Sequence, residues 1–405
     1  MNIHDSNGSI TRFYHVFFAV VTFAYWFSMY IYVPVFVTYL EHLGGSYTLI
    51  GLILGSYGMM QVLLRLPIGV ISDKMQIRKP FLIVGLLTGV ISCFGFALTE
   101  SLGFAFLSRF ISGITASMWV AFTVLYASYF KKEDATKAMG NIQFVTVAAQ
   151  LTSMGLSGYL VSQWGWKAPF WLGGIVGIIG LLMTFWIHDP HANKKKEKIK
   201  GNDLSSVLNE PIVLKAAFLS ALAHAVLFIT MFGFSPTHAL DIGASKESLT
   251  ILVFTFMIPH AAASIITGQY LAVRFNKWHI LLVGFLGTAL FSVVIPFIHS
   301  LEILYLTQAF NGFFQGMTMP LLMGVAIQSI SNNKRATAMG LYQALYALGI
   351  FLGPFMAGTF SQHTGFASVF YLAGGLALVG VTLSILWYRK DIVHSLAKKI
   401  NKKSV

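Results

Sequence analysis

The sequence predicts an all-α membrane protein in which twelve transmembrane helices form two pseudo-symmetric six-helix bundles. Of its 405 residues, 56% are apolar and only 10% are charged, whereas a soluble domain carries about 25% charged residues. Such a chain cannot cover a water-facing surface. Its apolar residues fall into long stretches, each long enough to cross a bilayer as a helix. An internal repeat then divides these stretches into two sets of six.

Short polar turns between the apolar stretches set the positions of the helices. The first stretch follows a dozen N-terminal residues and is too long for a cleaved signal peptide, so it is interpreted as the first span. Several stretches exceed the ~20 residues that a bilayer requires, which implies tilt or protruding ends. The predicted helices cover residues 13–40, 47–72, 80–99, 102–130, 137–163, 168–188, 212–238, 247–274, 278–298, 301–330, 336–362 and 366–388.

Lysine and arginine are distributed unequally between the two ends of these helices. With twelve spans, all but four of the 27 fall on one side; Lys167 and Lys246 lie on the other, and Arg65 and Arg109 lie inside helices. Positively charged loops stay in the cytoplasm. The expected protein is therefore a multi-pass protein of the cell membrane with both termini cytoplasmic. An odd number of spans would destroy this alternation.

The two halves of the sequence resemble each other. Ala138-Met139-Gly140 recurs as Ala338-Met339-Gly340, and ten residues over positions 138–180 are identical at this displacement of 200. The composition would give roughly four identities by chance. Gly69 likewise recurs as Gly268, at a displacement of 199. We infer a parallel duplication of two bundles that rock about a site between them.

The longest polar stretch, 189–211, separates these halves. The predicted domains are an N-terminal bundle (1–188), a cytoplasmic linker (189–211) and a C-terminal bundle with a basic cytoplasmic tail (212–405). The linker contains the basic run Lys194–Lys200, which is interpreted as a solvated segment that can touch anionic lipid headgroups. Despite the net charge of +13, no nucleic-acid-binding motif is present, so nucleic acid is not an expected partner.

A short charged loop between the second and third helices carries the most specific motif. Gly69 is followed by Asp73 and Lys74, and then by Arg78 and Lys79. Three cations in so short a loop favour the cytoplasmic side. A carboxylate at the membrane edge needs a partner, and these cations are candidates for it. The glycine can let two helix backbones approach closely.

This stretch resembles the signature loop of the major facilitator superfamily, Gly-x-x-x-Asp-Arg/Lys-x-Gly-Arg-Arg/Lys, with Gln76 at the position of the second glycine. The chain is identified as resembling the twelve-helix drug:proton antiporters of that superfamily. In the family this loop latches the two bundles together on the cytoplasmic side. The resemblance implies that role for Gly69, Asp73, Lys74, Arg78 and Lys79. The second copy, after Gly268, lacks the acid, which predicts an asymmetric closure.

Arg109 is a candidate coupling residue, because a cation inside a membrane helix needs a reason to be there. Its surroundings, from Arg109 to Gly113, resemble the Arg-x-x-x-Gly motif of proton-driven members, in which the arginine faces the central cavity. The alternative is an arginine that snorkels from near the helix end. Arg65 is expected to snorkel to the cytoplasmic edge.

Protons are the coupling ion that the resemblance implies, yet the predicted helix interiors contain no Asp or Glu. Their titratable candidates are His224 and His260, since histidine can exchange a proton near neutral pH. Alternatively, these histidines only hydrogen-bond to neighbouring helices. The acids nearest the membrane are expected at the outer rim, and they are Glu41, Glu100, Asp241 and Glu302.

The substrate pocket is expected near the midplane between the bundles. Aromatic, methionine and amide side chains on the helices that line it in the family suit varied amphipathic molecules. The alternative is that most of them pack against other helices or lipid. The candidate residues are Tyr25, Trp26, Met29, Tyr30, Gln143, Gln150, Asn311, Phe314, Gln315, Tyr342, Gln343 and Tyr346.

The sequence thus predicts a secondary active transporter that moves small amphipathic molecules by alternating access, in proton-coupled efflux. Two alternatives stay open: transport of one specific, anionic metabolite, and flipping of a lipid-linked substrate. No nucleophile elbow, phosphate loop or metal-ligand cluster suggests an enzyme or a cofactor. A single cysteine, Cys93, excludes a disulfide within the chain. The expected state is a monomer in the lipid bilayer.

Overall fold

The computed structural model describes residues 12–75, 77–130, 135–190, 210–328 and 335–403, and none of these lies in a β-strand. They form twelve helices. The first bundle consists of α1 (Arg12–Tyr30, continued by Val33–His42), α2 (Tyr47–Met75), α3 (Lys79–Leu98), α4 (Leu102–Ser117, continued by Trp119–Ala127), α5 (Ala135–Trp164) and α6 (Ala168–Thr184). The second bundle consists of α7 (Pro211–Ile229, a π turn at Thr230–Phe234, and Ser235–Asp241), α8 (Leu249–Ile266, a π turn at Thr267–Leu271, and Ala272–Arg274), α9 (Lys277–Val293), α10 (Leu301–Gln328), α11 (Arg335–Thr364) and α12 (Ser368–Lys403).

The lengths of these helices agree with membrane spans. Within the described part of the chain, ten helices are long and apolar enough to cross a bilayer. Helix α6 is a shorter apolar helix, and α10 is long but carries the amides Gln308, Asn311 and Gln315. The predicted segments match the observed helices to within a few residues, with one correction. Helix α12 does not end near residue 388 but continues to Lys403.

Two helices are interrupted just before a proline. In α1 the helix breaks at Ile31 and Tyr32, and Pro34 lies at the start of the second piece. In α7 the π turn Thr230–Phe234 precedes Pro236. Proline lacks an amide hydrogen, and its ring crowds the carbonyl four residues earlier. A π turn is one way in which a helix accommodates such a misfit. The interruptions therefore occupy corresponding places in the two bundles.

Four of the helices, α1, α5, α7 and α11, are followed by glycines with positive φ. These are Gly44 (80°), Gly165 (82°), Gly243 (99°) and Gly365 (94°). Only glycine adopts this conformation without steric cost. After α1, the Gly45 amide donates to the Leu40 carbonyl at 2.9 Å; after α7, the Ala244 amide donates to Ala239 at 2.9 Å. The displacement of 199 found in the sequence therefore recurs in the backbone geometry.

These turns define the glycine-turn end of the molecule. The loop end is the opposite one, where α2 ends at Met75 and α3 begins at Lys79. Helix α2 packs along α11 more extensively than any other described pair of helices. A Cβ atom added at Gly58 would lie 2.7 Å from the Ile350 carbonyl carbon. Nearer the loop end, a Cβ atom at Gly340 would approach only the Leu66 side chain, at 3.9 Å. The contact between bundles is therefore tightest toward the glycine-turn end.

Candidate functional site

Arg109 lies in α4 with only 3% of its surface exposed. Its Nη1 donates to the Tyr32 hydroxyl at 3.1 Å. The guanidinium carbon lies 4.4 Å from the ring centroid of Tyr57 and 5.3 Å from that of Phe36. A desolvated cation gains on the order of 2 kcal/mol from each aromatic face. Arg109 is therefore held inside the first bundle by what we call the aromatic cage (Tyr32, Phe36 and Tyr57). It does not snorkel.

Arg65 is also buried, with 4% exposed, so the expectation that it snorkels to the edge is wrong. Between this residue and the end of α2 at Met75 the helix rises about 15 Å, which is beyond the reach of the side chain. Instead, Nη1 donates to the Tyr346 hydroxyl on α11 of the other bundle. The guanidinium carbon lies 5.0 Å from the Tyr346 ring centroid. Its Nε has no hydrogen-bond acceptor among the described residues.

His224 of α7 completes a cluster around this contact. Its ring stacks on Tyr346, with centroids 4.0 Å apart and planes 6° from parallel. Its Nδ1 lies 2.8 Å from the Ser220 carbonyl oxygen, which can only accept, so Nδ1 carries the proton and Nε2 is an acceptor in the neutral ring. The Tyr342 hydroxyl donates to Ser220 Oγ at 2.8 Å. We call Arg65, Ser220, His224, Tyr342 and Tyr346 the Arg65 cluster; it joins the two bundles.

The candidate residues of α1 form an aromatic core beside this cluster. Tyr25, Trp26, Met29 and Tyr30 are all buried. The Trp26 ring lies 4.9 Å from the Trp119 ring of α4, edge to face, which places it in the packing of the first bundle. Tyr30 reaches the second bundle, with its ring 5.5 Å from that of Phe232 on α7. Among the described ring contacts, Tyr30 is therefore the α1 candidate that touches an aromatic ring of the second bundle.

The amides of α10 form a second polar group. Gln315 Nε2 donates to Asn311 Oδ1 at 3.0 Å, while Asn311 Nδ2 and Gln315 Oε1 have no partner among the described residues. Both polar atoms of the buried Gln308 and Nδ1 of His260 are also without one. Leaving such a buried group unpaired costs about 1–3 kcal/mol. This amide group (Gln308, Asn311 and Gln315) is therefore a place where a polar ligand atom or a water molecule would be stabilised.

Several candidates lie apart from these groups. Gln143 is exposed on α5, and Gln150 is half-buried on the same helix. The ring of Phe314 packs against Phe291 of α9, with centroids 5.8 Å apart, inside the second bundle. Gln343 is half-buried on α11, and its Oε1 has no partner among the described residues. The structure therefore does not bring Gln143 or Phe314 to the Arg65 cluster.

Several residues of these groups were not predicted from the sequence. Tyr32, Phe36, Tyr57 and Ser220 carry no local signal, because their importance comes from neighbours on other helices. Gln308 could have been found, since it precedes Asn311 by three positions and Gln315 by seven. That spacing places all three amides on one face of a helix.

In the signature loop, the structure assigns a role to an acid that was predicted to belong to the linker. Asp189, just after α6, accepts hydrogen bonds from the backbone amides of Arg78 at 2.6 Å and Lys79 at 3.0 Å. A carboxylate at the start of a helix satisfies free amides and offsets the helix dipole. Lys79 Nζ also donates to the Phe185 carbonyl at 2.6 Å. These contacts all tie α3 to the end of α6, within the first bundle.

The latch itself stays a prediction. The side chains of Asp73 and Lys74 and the basic run Lys194–Lys200 lie outside the part of the chain that the structure describes. A Cβ atom at Gly69 would meet only Val120 Cγ1, at 3.9 Å, among the described atoms. Among the described residues, therefore, no helix backbone approaches Gly69 as closely as expected.

Comparison with known proteins agrees with the fold and the motifs. The family model of the Major Facilitator Superfamily matches residues 18–245 and 216–404. The chain therefore belongs to this superfamily, as the signature loop indicated, and the predicted fold class is confirmed. It is an integral membrane transporter of the bacterial plasma membrane and not an enzyme.

Individual relatives are more distant. The chain is 26% identical to the inner membrane transport protein YajR of Escherichia coli (strain K12), an alignment that covers 92% of this chain and 83% of YajR. It is 24% identical to the quinolone resistance protein NorA of Staphylococcus aureus (strain MSSA476), over 87% of this chain and 91% of NorA. A solved bacterial homologue of the human lysosomal transporter Spinster superimposes with a TM-score of 0.77 at 14% identity, covering 93% of this chain and 96% of that one. This last likeness shows the fold alone.

Proposed function

We propose that this transporter exports small amphipathic molecules in exchange for protons, by alternating access. The observation that carries the proposal is the aromatic interface between the bundles beside a polar cluster. Tyr30 lies 5.5 Å from Phe232, and Tyr57 stacks on Phe228 at 5.9 Å, in each case across the interface. Apolar walls with a few polar groups suit ligands of mixed character. The quinolone resistance named for NorA supports the same substrate class.

In this proposal the protein is a monomer with its loop end and both termini in the cytoplasm. The excess of lysine and arginine on that side of the predicted spans supports this orientation. The glycine-turn end, where α2 and α11 pack most tightly, then faces outward. The described conformation would accordingly be closed to the outside, and export would require the α2–α11 contact to open.

For proton coupling we propose His224 as the residue that takes up and releases the proton. Its ring stacks on Tyr346, whose hydroxyl accepts from Arg65 across the interface that must rearrange during transport. His260 is a second candidate, but it packs against α10 within one bundle, where the backbone of Gly316 approaches its own. Tyr57 lies against the Arg109 guanidinium and stacks on Phe228 of α7, one turn from His224. It therefore links the coupling candidate of α4 to the Arg65 cluster.

Flux measurements in proteoliposomes test this function. A fluorescent amphipathic dye should be extruded only when a pH gradient is imposed, and collapse of the gradient should stop the flux. His224→Gln should lose roughly tenfold or more of the gradient-driven rate, as expected for a lost proton-transfer group. His279→Gln, on the exposed surface of α9, is the matched control and should behave as wild type. Dye flux that ignores the gradient, or import of a hydrophilic nutrient instead, would overturn the proposal.

A further inference from the structure

The Arg65 guanidinium has more hydrogen-bonding capacity than the described structure uses. It carries five N–H donors, and its only described hydrogen-bond partner is the Tyr346 hydroxyl. Its Nε is buried without an acceptor among the described residues. A hydroxyl group does not neutralise a buried cation, and a charge inside a membrane protein is costly unless an opposite charge or several polar partners surround it.

The described surroundings supply no negative charge. The cluster is built from α2, α7 and α11, and the acids on these helices, Asp73 and Asp241, belong to helix ends by their positions in the sequence. The other ionisable groups nearby are His224, which stacks on Tyr346, and Arg109 in its aromatic cage. Every one of these is neutral or positive. The interface therefore has a positive potential, which attracts anions.

We propose that the Arg65 cluster binds a carboxylate of the exported molecule. This inference rests on the proposed function and names its substrate class as amphipathic carboxylic acids. The planar fork of arginine matches a carboxylate through paired, charge-assisted hydrogen bonds. Because the Tyr346 hydroxyl accepts from Arg65, its own proton is free to be donated to the same carboxylate.

The neighbouring rings would hold the apolar part of such a molecule. The stacked pair of Tyr346 and His224 offers a flat wall beside the guanidinium. One turn away on α7, Phe228 stacks on Tyr57 of α2. A carboxylate attached to an aromatic ring system would thus place its charge on Arg65 and its rings among these side chains. An apolar molecule without the carboxylate would leave Arg65 unsatisfied.

A matched pair of ligands separates charge from shape. We would measure binding of a fluorescent quinolone carboxylic acid and of its methyl ester to the purified protein. Wild type should bind the acid roughly tenfold more tightly than the ester, as expected for a charged hydrogen bond. Arg65→Gln should abolish this preference, and Arg65→Lys should keep part of it. Arg274 is an exposed cation on α8, and Arg274→Gln should change the affinity for neither ligand.

The outcomes distinguish this site from the proposed function. Equal binding of acid and ester by wild type, or an undiminished preference in Arg65→Gln, would overturn the carboxylate site even if dye export is found. If the acid binds in an Arg65-dependent way but no amphiphile is exported by the gradient, the carboxylate site stands and the proposed export function is wrong. If the Arg65 variants do not fold, Tyr346→Phe tests the site instead. This variant keeps the ring and loses the hydroxyl. It should bind the acid several-fold more weakly and should bind the ester as tightly as wild type.

Discussion

At the scale of single residues, two buried arginines have different environments. Arg109 is enclosed by rings of its own bundle, whereas Arg65 reaches the other bundle through one hydroxyl. The sequence indicates that Arg109 is unusual, but it cannot show the aromatic cage, because Tyr32, Phe36 and Tyr57 lie on other helices. It also misjudges Arg65, since proximity to the loop in sequence says nothing of the direction in which a long side chain runs.

The bond from Arg109 to Tyr32 gives a stability prediction. Tyr32→Phe keeps the ring and removes the hydroxyl, so a buried charged donor loses its acceptor. We expect a loss of about 1.5–3 kcal/mol, measured by unfolding of the purified protein in detergent. Tyr39→Phe is the control: its hydroxyl makes long contacts of 3.3 and 3.5 Å to carbonyl groups and should cost less. Equal losses in the two variants would contradict a special role for the Arg109 bond.

A pH prediction concerns the exposed pair at the glycine-turn end. Lys167 Nζ lies 2.8 Å from Glu100, and this hydrogen bond and charge lower the pKa of Glu100. Because the pKa is lower in the folded state, the pair stabilises the protein above the ordinary glutamate pKa, about 4.3. That stabilisation disappears as the pH falls through the lowered value.

The measurement compares the thermal midpoints of wild type and Glu100→Gln between pH 7 and pH 3. The small advantage of wild type at neutral pH should vanish at the acid end, and salt should reduce it. If the difference in thermal midpoint between wild type and Glu100→Gln grows as the pH falls, the predicted lowering of the Glu100 pKa is contradicted.

At the scale of helices, the sequence predicts nearly all of the elements and misses what fixes their ends. Apolar length identifies the spans, but the predicted helices 13–40 and 212–238 run without a break through Pro34 and Pro236, beside which the structure shows interruptions. The kind of interruption, a π turn in α7, depends on packing that the sequence does not reveal. Asp189 was assigned to the linker because it follows an apolar stretch and begins a polar one. Its role at the start of α3 requires the three-dimensional approach of α6.

The Asp189 cap yields an element-scale prediction. Asp189→Ala leaves the Arg78 and Lys79 amides without their acceptor, so we expect about 1–2 kcal/mol of lost stability, measured in detergent. Asp189→Asn should lose less, since an amide oxygen still caps. Glu210→Ala is the matched control, because Glu210 also precedes a helix but makes no side-chain cap. Equal losses of stability in Asp189→Ala and Glu210→Ala would mean that Asp189 does not stabilise the protein through its cap.

At the scale of the whole molecule, we propose that the glycine-lined contact of α2 with α11 controls which end is closed. A side chain at Gly58 would press on the Ile350 backbone. Gly58→Val should therefore shift the population toward opening at the glycine-turn end. Gly375→Val is the control, because no described atom lies within 4 Å of a Cβ added there.

Spin labels at the exposed positions Ser46 and Gln362, beside the contact of the Tyr47 amide with the Gln362 side chain, measure the opening. The distance distribution should lengthen in Gly58→Val and stay unchanged in Gly375→Val. An unchanged distribution in both variants would mean that this contact does not govern closure.

The caps after α1 and α7 also bear on how the chain came to be. The same backbone hydrogen bond closes both turns, from Leu40 to Gly45 and from Ala239 to Ala244, although most of the residues in the two segments differ. Copying of an ancestral gene followed by independent drift would leave such a trace. Side chains could change freely, but a left-handed bend admits hardly anything except Gly44 and Gly243. The common origin of the two halves is therefore most visible in the turns after these helices, where few backbone conformations are allowed.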